Sequence, residues 1–326
     1  MLEKKVLNLG TRSSPLAMAQ ANLAANAIRS FFPEYEVNIC PVRTSGDKDR
    51  VRSLVQFGGT GVFVKELEEA LLEKKIDFAV HSLKDVPEAM DSELVLGGFL
   101  PRACPLDVLV SSNKLLTQLP QGAKIGTGSP RRILQLKAIR SDLCFVDVRG
   151  NLESRLQKVE SGELDGIILG AAGLERLNLS HAITEKFSPD VLVPAVGQGI
   201  VGLQCRKDNE LIVNVLSKIS DSKASLAASI ERSWMNFLGG GCRVPMAAFA
   251  DVSETEIKFY AYLADPVKGN SFCKNILLKR DNSLEKEFEQ FGILSDISDE
   301  NIDFKKLQEL EVENEDEDGE DVLKSV

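Results

Sequence analysis

The chain has 326 residues, of which 43% are hydrophobic and 27% are charged, a composition typical of water-soluble globular proteins. Its length predicts two or three domains, and no apolar run is long enough to cross a membrane as a helix. The net charge of −10 is concentrated in residues 309–326, which carry nine acidic residues and one lysine. The rest of the chain is therefore almost neutral, which disfavours nucleic acid as a partner. The acidic tail is predicted to be disordered.

The chain contains six cysteines and two histidines. There is no Cys-x-x-Cys pair, and only His81 and His181 could complete a zinc site or activate a thiol, so no metal is expected. Cys40, Cys144 and Cys205 lie in apolar runs and are predicted to be core residues. The N-terminal segment lacks the apolar stretch of a signal peptide, which favours a cytoplasmic location with free thiols.

Apolar and amphipathic segments alternate along the first hundred residues, as in an α/β domain. The sequence predicts strands at 5–10, 35–43, 76–80 and 94–99, and helices at 15–30 and 62–74. Ser14 and Pro15 form a typical helix start, whose backbone N–H groups, together with Arg12, could bind an anion or simply cap the helix. The glycine-rich segment 44–61 is interpreted as a mobile flap.

A polar turn, His81–Pro87, follows the buried strand at 76–80. The carboxyl ends of strands form the ligand-binding edge of open α/β sheets. Lys84 directly precedes Asp85, and a neighbouring cation favours an ionised carboxylate that could transfer protons or stabilise a positive charge. An ordinary polar turn is the alternative interpretation.

Residues 106–205 repeat this pattern. Strands are predicted at 106–111, 124–126, 143–148 and 164–169, helices at 133–140, 171–176 and after residue 151, and extended chain at 190–205. Arg131 and Arg132 lie in the first turn of a helix, where the helix dipole disfavours cations, so a bound anion is expected to compensate. Arginine recurs at the strand-to-helix turns, as Arg12, Arg131, Arg132, Arg149, Arg155 and, nearby, Arg176. This pattern favours a ligand with several carboxylates or phosphates.

The C-terminal third has a different pattern. Helices are predicted at 208–220 and 222–238, antiparallel strands at 246–253, 256–264 and 271–279, and a weak helix at 284–308. The loop Gly239–Pro245 has three consecutive glycines and holds Cys242. Such a thiol could ligate a metal, exchange disulfides, attack a carbonyl or anchor a covalent group. Scarce histidine and the missing Cys-x-x-Cys pair disfavour the first two roles.

Seven motifs occur in the order in which they occur in one enzyme family. They are GTRSSPLAMAQ at 10–20, FVKELEEALLEKKIDFAVHSLKDVP at 63–87, GTGSPRR at 126–132, VRGNLESRL at 148–156, DGIILGAAGLERL at 165–177, LVPAVGQGIVGLQCR at 192–206 and GGGCRVP at 239–245. On these motifs the chain resembles the porphobilinogen deaminase (hydroxymethylbilane synthase) family of tetrapyrrole biosynthesis.

The resemblance implies an α/β fold with two domains like those of type II periplasmic binding proteins, a ligand cleft between them, and a small C-terminal α+β domain. We assign residues 1–100 with 195–220 to the first domain, 101–194 to the second, 221–308 to the third, and 309–326 to the tail. The resemblance also implies a monomer.

The implied reaction is the stepwise joining of four porphobilinogen units into hydroxymethylbilane, with loss of ammonia at each addition. Growth takes place on a dipyrromethane cofactor attached through a thioether. By motif position Cys242 would carry the cofactor and Asp85 would be the catalytic carboxylate. Cofactor-binding residues would be Lys84, Ser82, Thr127, Ser129, Arg131, Arg132 and Arg149, and substrate-binding residues Arg12, Ser14, Arg149, Arg155, Arg176 and Gln198.

Two features depart from the family pattern. Many bacterial members have lysine where the flap of this chain has Thr60, and Lys48, Arg50 or Arg52 could compensate. The segment after residue 280 does not resemble the usual closing helix. Two other functions share some of these features: a noncatalytic two-domain binder of an anionic small molecule, and a thiol-dependent hydrolase that uses Cys242. The hydrolase lacks an obvious histidine partner.

Overall fold

The computed structural model describes residues 5–42, 64–238, 245–265 and 270–279. The predicted flap with Thr60, the cysteine-bearing loop with Cys242, the weak helix at 284–308 and the acidic tail lie outside these ranges. In the described part, no helix is long and apolar enough to span a bilayer.

The strands of the described chain are β1 (Lys5–Arg12), β2 (Tyr35–Val42), β3 (Phe78–Ser82), β4 (Leu94–Phe99), β5 (Asp107–Ser111), β6 (Lys124–Gly126), β7 (Cys144–Val146), β8 (Gly166–Gly170), β9 (Glu185–Lys186), β10 (Val201–Arg206), β11 (Met246–Val252), β12 (Glu256–Ala264) and β13 (Ser271–Lys279). The α-helices are α1 (Pro15–Phe31), α2 (Lys65–Leu72), α3 (Pro130–Ile139), α4 (Leu152–Glu160), α5 (Ala171–Arg176), α6 (Glu210–Lys218) and α7 (Ser222–Phe237). Most predicted elements are confirmed, with ends that differ by a few residues.

The chain forms two compact units. The first unit comprises Met1–Pro105, Ala172–Ser180 and Gln198–Leu226, and the second comprises Leu106–Ala171, His181–Gly197 and Ala227–Val326. In the first unit the sheet has the strand order β2-β1-β3-β10-β4, with β1 parallel to β2 and β3, and β10 antiparallel to its two neighbours. Helix α1 buries Ala21, Ala24 and Ile28 against the apolar side chains of this sheet, because these positions recur on one helical face.

The second unit contains an equivalent sheet of order β7-β6-β8-β5-β9 and a three-stranded antiparallel sheet, β11-β12-β13. The smaller sheet places Phe249, Tyr260 and Tyr262 in a cluster with Val193, and Leu134 of α3 packs against it. Two mixed five-stranded sheets with helices and a separate small sheet confirm the predicted fold class.

The predicted core cysteines have three different environments. Cys205 is fully buried in the core of the first unit, as predicted, and Cys40 is half-buried. The prediction for Cys144 was wrong, because this residue is exposed. Cys144 lies on the edge strand β7, where alternate side chains point to opposite faces and only Phe145 packs against the core.

Candidate active site

A pocket opens in the first unit, where the parallel strands β1 and β3 end. Its polar lining consists of Arg12, Ser14, Gln20, His81, Ser82 and Asp85. The predicted catalytic carboxylate therefore shares one pocket with three of the predicted binding residues, Arg12, Ser14 and Ser82. This is the carboxyl edge of the sheet, where ligands of α/β folds bind.

Asp85 is held at the pocket by a short 3-10 turn, Leu83–Asp85. The turn is fixed because Leu83 is buried and its backbone N–H donates to the Ile200 carbonyl at 3.0 Å. Within the described chain, no hydrogen bond or ion pair engages the Asp85 carboxylate. Lys84 of the same turn is exposed. The turn therefore places the Asp85 carboxylate at the pocket, where the described residues leave it available to a ligand.

The two serines of the pocket are used by the protein in different ways. The Ser14 hydroxyl accepts from the Ala17 N–H at 3.3 Å and caps α1, with Pro15 as its first residue, as predicted. The Ser82 hydroxyl bonds to the side-chain amide of Gln20, whose Nε2 lies at 2.8 Å. Both hydroxyls are consequently held in fixed positions at the pocket wall.

The predicted cofactor residues Thr127 and Ser129 lie in the second unit, at the start of α3. Ser129 occupies the N-cap position, but its side chain makes no capping hydrogen bond. Its backbone N–H instead donates to the Thr127 hydroxyl at 3.3 Å. The Ser129 hydroxyl is thus available beside the first N–H groups of a helix, which favour an anion.

Arg131 and Arg132 converge on the buried carboxylate of Asp107, which begins β5. Asp107 is fully buried, and its Oδ2 accepts from Arg131 Nη1 at 2.7 Å. Its Oδ1 accepts from Arg132 Nε at 2.9 Å and from Arg132 Nη2 at 2.7 Å. Both guanidinium groups also donate to main-chain carbonyls, of Val193 at 2.6 Å and of Ile168 at 2.9 Å. The anion expected beside this arginine pair is therefore, at least in part, a carboxylate of the protein itself.

The charges of this cluster do not balance, since two guanidinium groups share one carboxylate. Burial lowers the pKa of Arg132, whereas the negative charge of Asp107 acts in the opposite direction. Arg131 uses Nη1 for its hydrogen bonds to Asp107 and to the Val193 carbonyl, so other N–H groups of this side chain remain for a further acceptor. The excess positive charge suits an additional anion.

Arg149 and Arg155 flank the turn that leads into α4. Nε of Arg149 donates to Asp147 Oδ2 at 3.1 Å, and Arg155 Nε donates to the Gly150 carbonyl at 2.9 Å. Gly150 has a φ of +105°, a conformation that disfavours other residues. Both arginines thus lie at one strand-to-helix turn of the second unit, as predicted.

Arg176 and Gln198 belong to the first unit and are tied to neighbouring turns. Arg176 Nη2 donates to the Gly199 carbonyl at 2.7 Å, while its Nε is buried without a hydrogen-bond partner. Burial lowers the pKa of Arg176. The side-chain amide of Gln198 donates to the Pro105 carbonyl at 2.7 Å. The structure does not bring these two residues into the pocket that contains Asp85.

Cys242 lies outside the described residues, but the elements on both sides of its loop are described. Helix α7 precedes the loop and β11 follows it. The fully buried Glu231 of α7 accepts from the Ala250 N–H of β11 at 2.8 Å and from the Gly197 N–H at 2.7 Å. This carboxylate therefore connects the two elements from which the loop extends.

Sequence reasoning missed three buried polar residues that support these sites: Asp107, Gln204 and Glu231. Gln204 of β10 is fully buried, and its amide bonds to the pocket residue His81. Glu231 interrupts an apolar face of α7 that contains Ala228 and Trp234, and Asp107 and Gln204 interrupt apolar runs of their strands. A buried polar residue needs a partner, so each interruption was a usable signal.

Comparisons with known proteins point to one enzyme family. The family model described as porphobilinogen deaminase, dipyromethane cofactor binding domain, matches residues 7–214, and the model of the porphobilinogen deaminase C-terminal domain matches residues 225–293. Curated proteins named porphobilinogen deaminase include that of Syntrophotalea carbinolica, 42% identical over 277 residues, which cover 85% of this chain and 88% of the relative. The porphobilinogen deaminase of Limosilactobacillus reuteri is 42% identical over 278 residues, which cover 84% of this chain and 91% of the relative.

Solved structures give a weaker likeness. A probable amino-acid ABC transporter extracellular-binding protein of Bacillus subtilis is 13% identical with a TM-score of 0.41, and the match covers 72% of this chain and 98% of that one. A periplasmic binding protein of Salmonella typhimurium with high arginine specificity is 17% identical with a TM-score of 0.38, over 72% and 98%. At these scores the likeness carries no functional argument.

Proposed function

The chain belongs to the porphobilinogen deaminase family, and we propose how its own residues carry out the reaction of that family. The protein is a transferase of tetrapyrrole biosynthesis that joins porphobilinogen units into hydroxymethylbilane on a dipyrromethane cofactor. A noncatalytic anion binder is not favoured, because both matching family models describe the deaminase.

One observation carries the assignment of residues: a single pocket combines the carboxylate of Asp85 with the guanidinium of Arg12. Each porphobilinogen has two carboxylates, a ring N–H and an aminomethyl group. Arg12 and the Ser14 hydroxyl suit a carboxylate, since arginine pairs with it through two N–H donors. Asp85 suits the N–H groups and the positive charge that develops next to the ring as ammonia leaves.

The residues of the second unit fit a ligand with several carboxylates. The Thr127 and Ser129 hydroxyls, the first N–H groups of α3 and the excess positive charge of Arg131 and Arg132 over Asp107 supply donors of the required sign. The dipyrromethane, when bound, supplies the pyrrole carbon to which the first substrate unit is joined. In the proposed assignment these donors hold its carboxylates, together with Ser82, Lys84 and Arg149, and Cys242 is its covalent anchor.

Arg149, Arg155, Arg176 and Gln198 complete the proposed substrate-binding set. The hydrogen bonds described above hold these side chains against the protein's own carbonyls and carboxylates. We retain them because their motifs, VRGNLESRL, GLERL and VGQG, match the family in order.

The test of the cofactor assignment is the intact mass of the purified protein. The wild type is expected to exceed its sequence mass by one dipyrromethane, and Cys242→Ser is expected to lack this excess and to form no hydroxymethylbilane. An unmodified and fully active wild type would refute the assignment.

The test of the catalytic assignment is the rate of Asp85→Ala. Loss of a carboxylate that stabilises developing charge is expected to lower turnover by about 10²-fold or more. Glu34→Ala is the matched control, because Glu34 is an exposed carboxylate of the same unit outside the pocket. Near-normal turnover by Asp85→Ala would refute the role.

We further propose a cytoplasmic monomer that binds neither nucleic acid nor membrane, with the three domains and the tail at the boundaries given above. The support is the family resemblance and the nearly neutral body of the chain. Light scattering coupled to size exclusion tests the oligomeric state, and a dimer mass would overturn that part.

A further inference from the structure

A chain of three polar side chains, the buried His81 and Gln204 and the half-buried Glu68, ends at the pocket of the first unit. His81 lines the pocket and is 5% exposed. Its Nε2 lies 3.0 Å from Oε1 of Gln204, and Nε2 of Gln204 donates to Oε1 of Glu68 at 2.7 Å. The three residues come from β3, β10 and α2, so the chain joins three separate elements behind the pocket.

The chain fixes the tautomer of His81. Nε2 of Gln204 has two acceptors as neighbours, the Glu68 carboxylate and the Met90 sulfur at 3.6 Å, so the NH₂ group must face them. The amide oxygen is then the atom that faces His81. Since that oxygen can only accept, Nε2 of His81 must carry the proton, and Nδ1 is left with a lone pair.

The surroundings of His81 also keep its ring uncharged. Burial lowers its pKa to about 4, and the positive charge of Arg12 on β1 acts in the same direction. The other charged groups near the ring are Glu68 on α2, which reaches it only through Gln204, and Asp85 on the turn that follows β3. At neutral pH the ring is therefore an imidazole whose second nitrogen accepts hydrogen bonds.

We propose that His81, held by Gln204, is a second acceptor for the N–H groups of porphobilinogen, beside Asp85. The proposal rests on the function proposed above, which names this substrate. A pyrrole N–H and an ammonium group are both donors, so a pocket with one carboxylate and one neutral imidazole offers each a partner. An imidazolium in the same place would repel the ammonium group and could only donate. Gln204 is then a positioning residue, because it acts through His81.

The first test is the tautomer itself. The chain has only two histidines, so the ¹⁵N-histidine NMR spectrum of the holoenzyme contains two sets of ring signals, and His181→Asn identifies them. His81 is expected as the Nε2–H tautomer, unchanged from about pH 6 to about pH 8. A protonated ring or the Nδ1–H tautomer in this range would overturn the proposal.

The second test exchanges the two partners in the double variant Glu68→Gln/Gln204→Glu, which keeps the net charge and side-chain sizes. A carboxylate at 204 would accept from His81 and raise its pKa, so that the ring gains a proton within the measured range. Its Nδ1 then becomes a donor at low pH. The kcat/KM of the variant is expected to fall about tenfold from about pH 8 to about pH 6, in addition to any change in the wild type. A tenfold fall corresponds to the loss of about one hydrogen bond.

The outcomes separate this proposal from the function on which it rests. If NMR shows that the exchange protonates His81 but kcat/KM keeps the wild-type pH profile, His81 does not accept from the substrate. If the exchange leaves the His81 ring neutral, residue 204 does not set the protonation state of that ring, and the proposal is also overturned. If the wild type forms no hydroxymethylbilane, the proposed function itself fails. Product formation is measured independently of both NMR experiments.

Discussion

Replacement of Asp107 by Asn is expected to lower the free energy of unfolding by about 3–5 kcal/mol, the usual cost of removing one partner of a buried ion pair. The carboxylate is fully buried and accepts three hydrogen bonds of 2.7–2.9 Å from Arg131 and Arg132. Asparagine keeps the shape but not the charge. It leaves two buried guanidinium groups without a counter-ion, and one of them faces an amide NH₂.

The sole tryptophan makes this measurement specific to the second unit. Trp234 is fully buried among Phe237, Phe259 and Phe272, so its fluorescence follows the unfolding of that unit in urea. The matched control is Glu163→Gln, which removes the carboxylate of the exposed Lys158–Glu163 pair in the same unit. Exposed pairs contribute about 0–1 kcal/mol, so the control is expected to unfold almost as the wild type does.

If the free energy of unfolding falls no more in Asp107→Asn than in the control, Asp107 is not the counter-ion that stabilises this unit. The two guanidinium groups would then be balanced by something other than Asp107. A second readout is the intact mass, because misplaced arginines are expected to lower the fraction of protein that carries the cofactor.

Two further predictions concern the first unit. The pKa of His81 in the native state, about 4, lies below its ordinary value of 6.5, so between these values the unfolded chain binds more protons and stability falls as the pH falls. We expect the free energy of unfolding, measured in urea, to fall by up to about 3 kcal/mol from about pH 7 to about pH 4. This dependence on pH is expected to be weaker in His81→Asn but not in His181→Asn. Gly199 has a φ of +88°, and a Cβ there would lie 2.5 Å from the Ala103 carbonyl oxygen, whereas Gly122 has a φ of +71° with open space around it. Gly199→Ala is therefore expected to lose more stability than Gly122→Ala, which measures the backbone cost of about 1–2 kcal/mol alone; equal losses would contradict the predicted contact.

Features that depend on neighbouring residues were predicted well from the sequence. The cap of α1 follows from Ser14 and Pro15, and the ligand-binding edge follows from polar residues directly after the apolar strand β3. These signals are local, because a cap or a strand end is specified within a few residues. The candidate pocket with Arg12 and Asp85 could therefore be anticipated.

Features that depend on distant partners were not predicted. Arg131 was expected to face a bound anion, but the identity of Asp107 as its partner depends on how β5 and α3 pack. The same holds for Glu231 and for the link between Gln204 and Glu68. Cys144 was assigned to the core from its apolar neighbours, yet β7 is an edge strand, and the order of strands in a sheet is not encoded locally.

The strand order of the first unit has a consequence for synthesis of the protein. β10 lies between β3 and β4, although β4 ends at Phe99 and β10 begins only at Val201. Until Arg206 has left the ribosome, β3 has one unpaired edge and β4 has no partner strand in this sheet, and unpaired edges are templates for association with other chains. All five strands of the larger sheet in the second unit lie before residue 187, because β9 ends at Lys186. The middle of the nascent chain can thus complete its sheet before the beginning does, the reverse of the usual order of folding from the N-terminus.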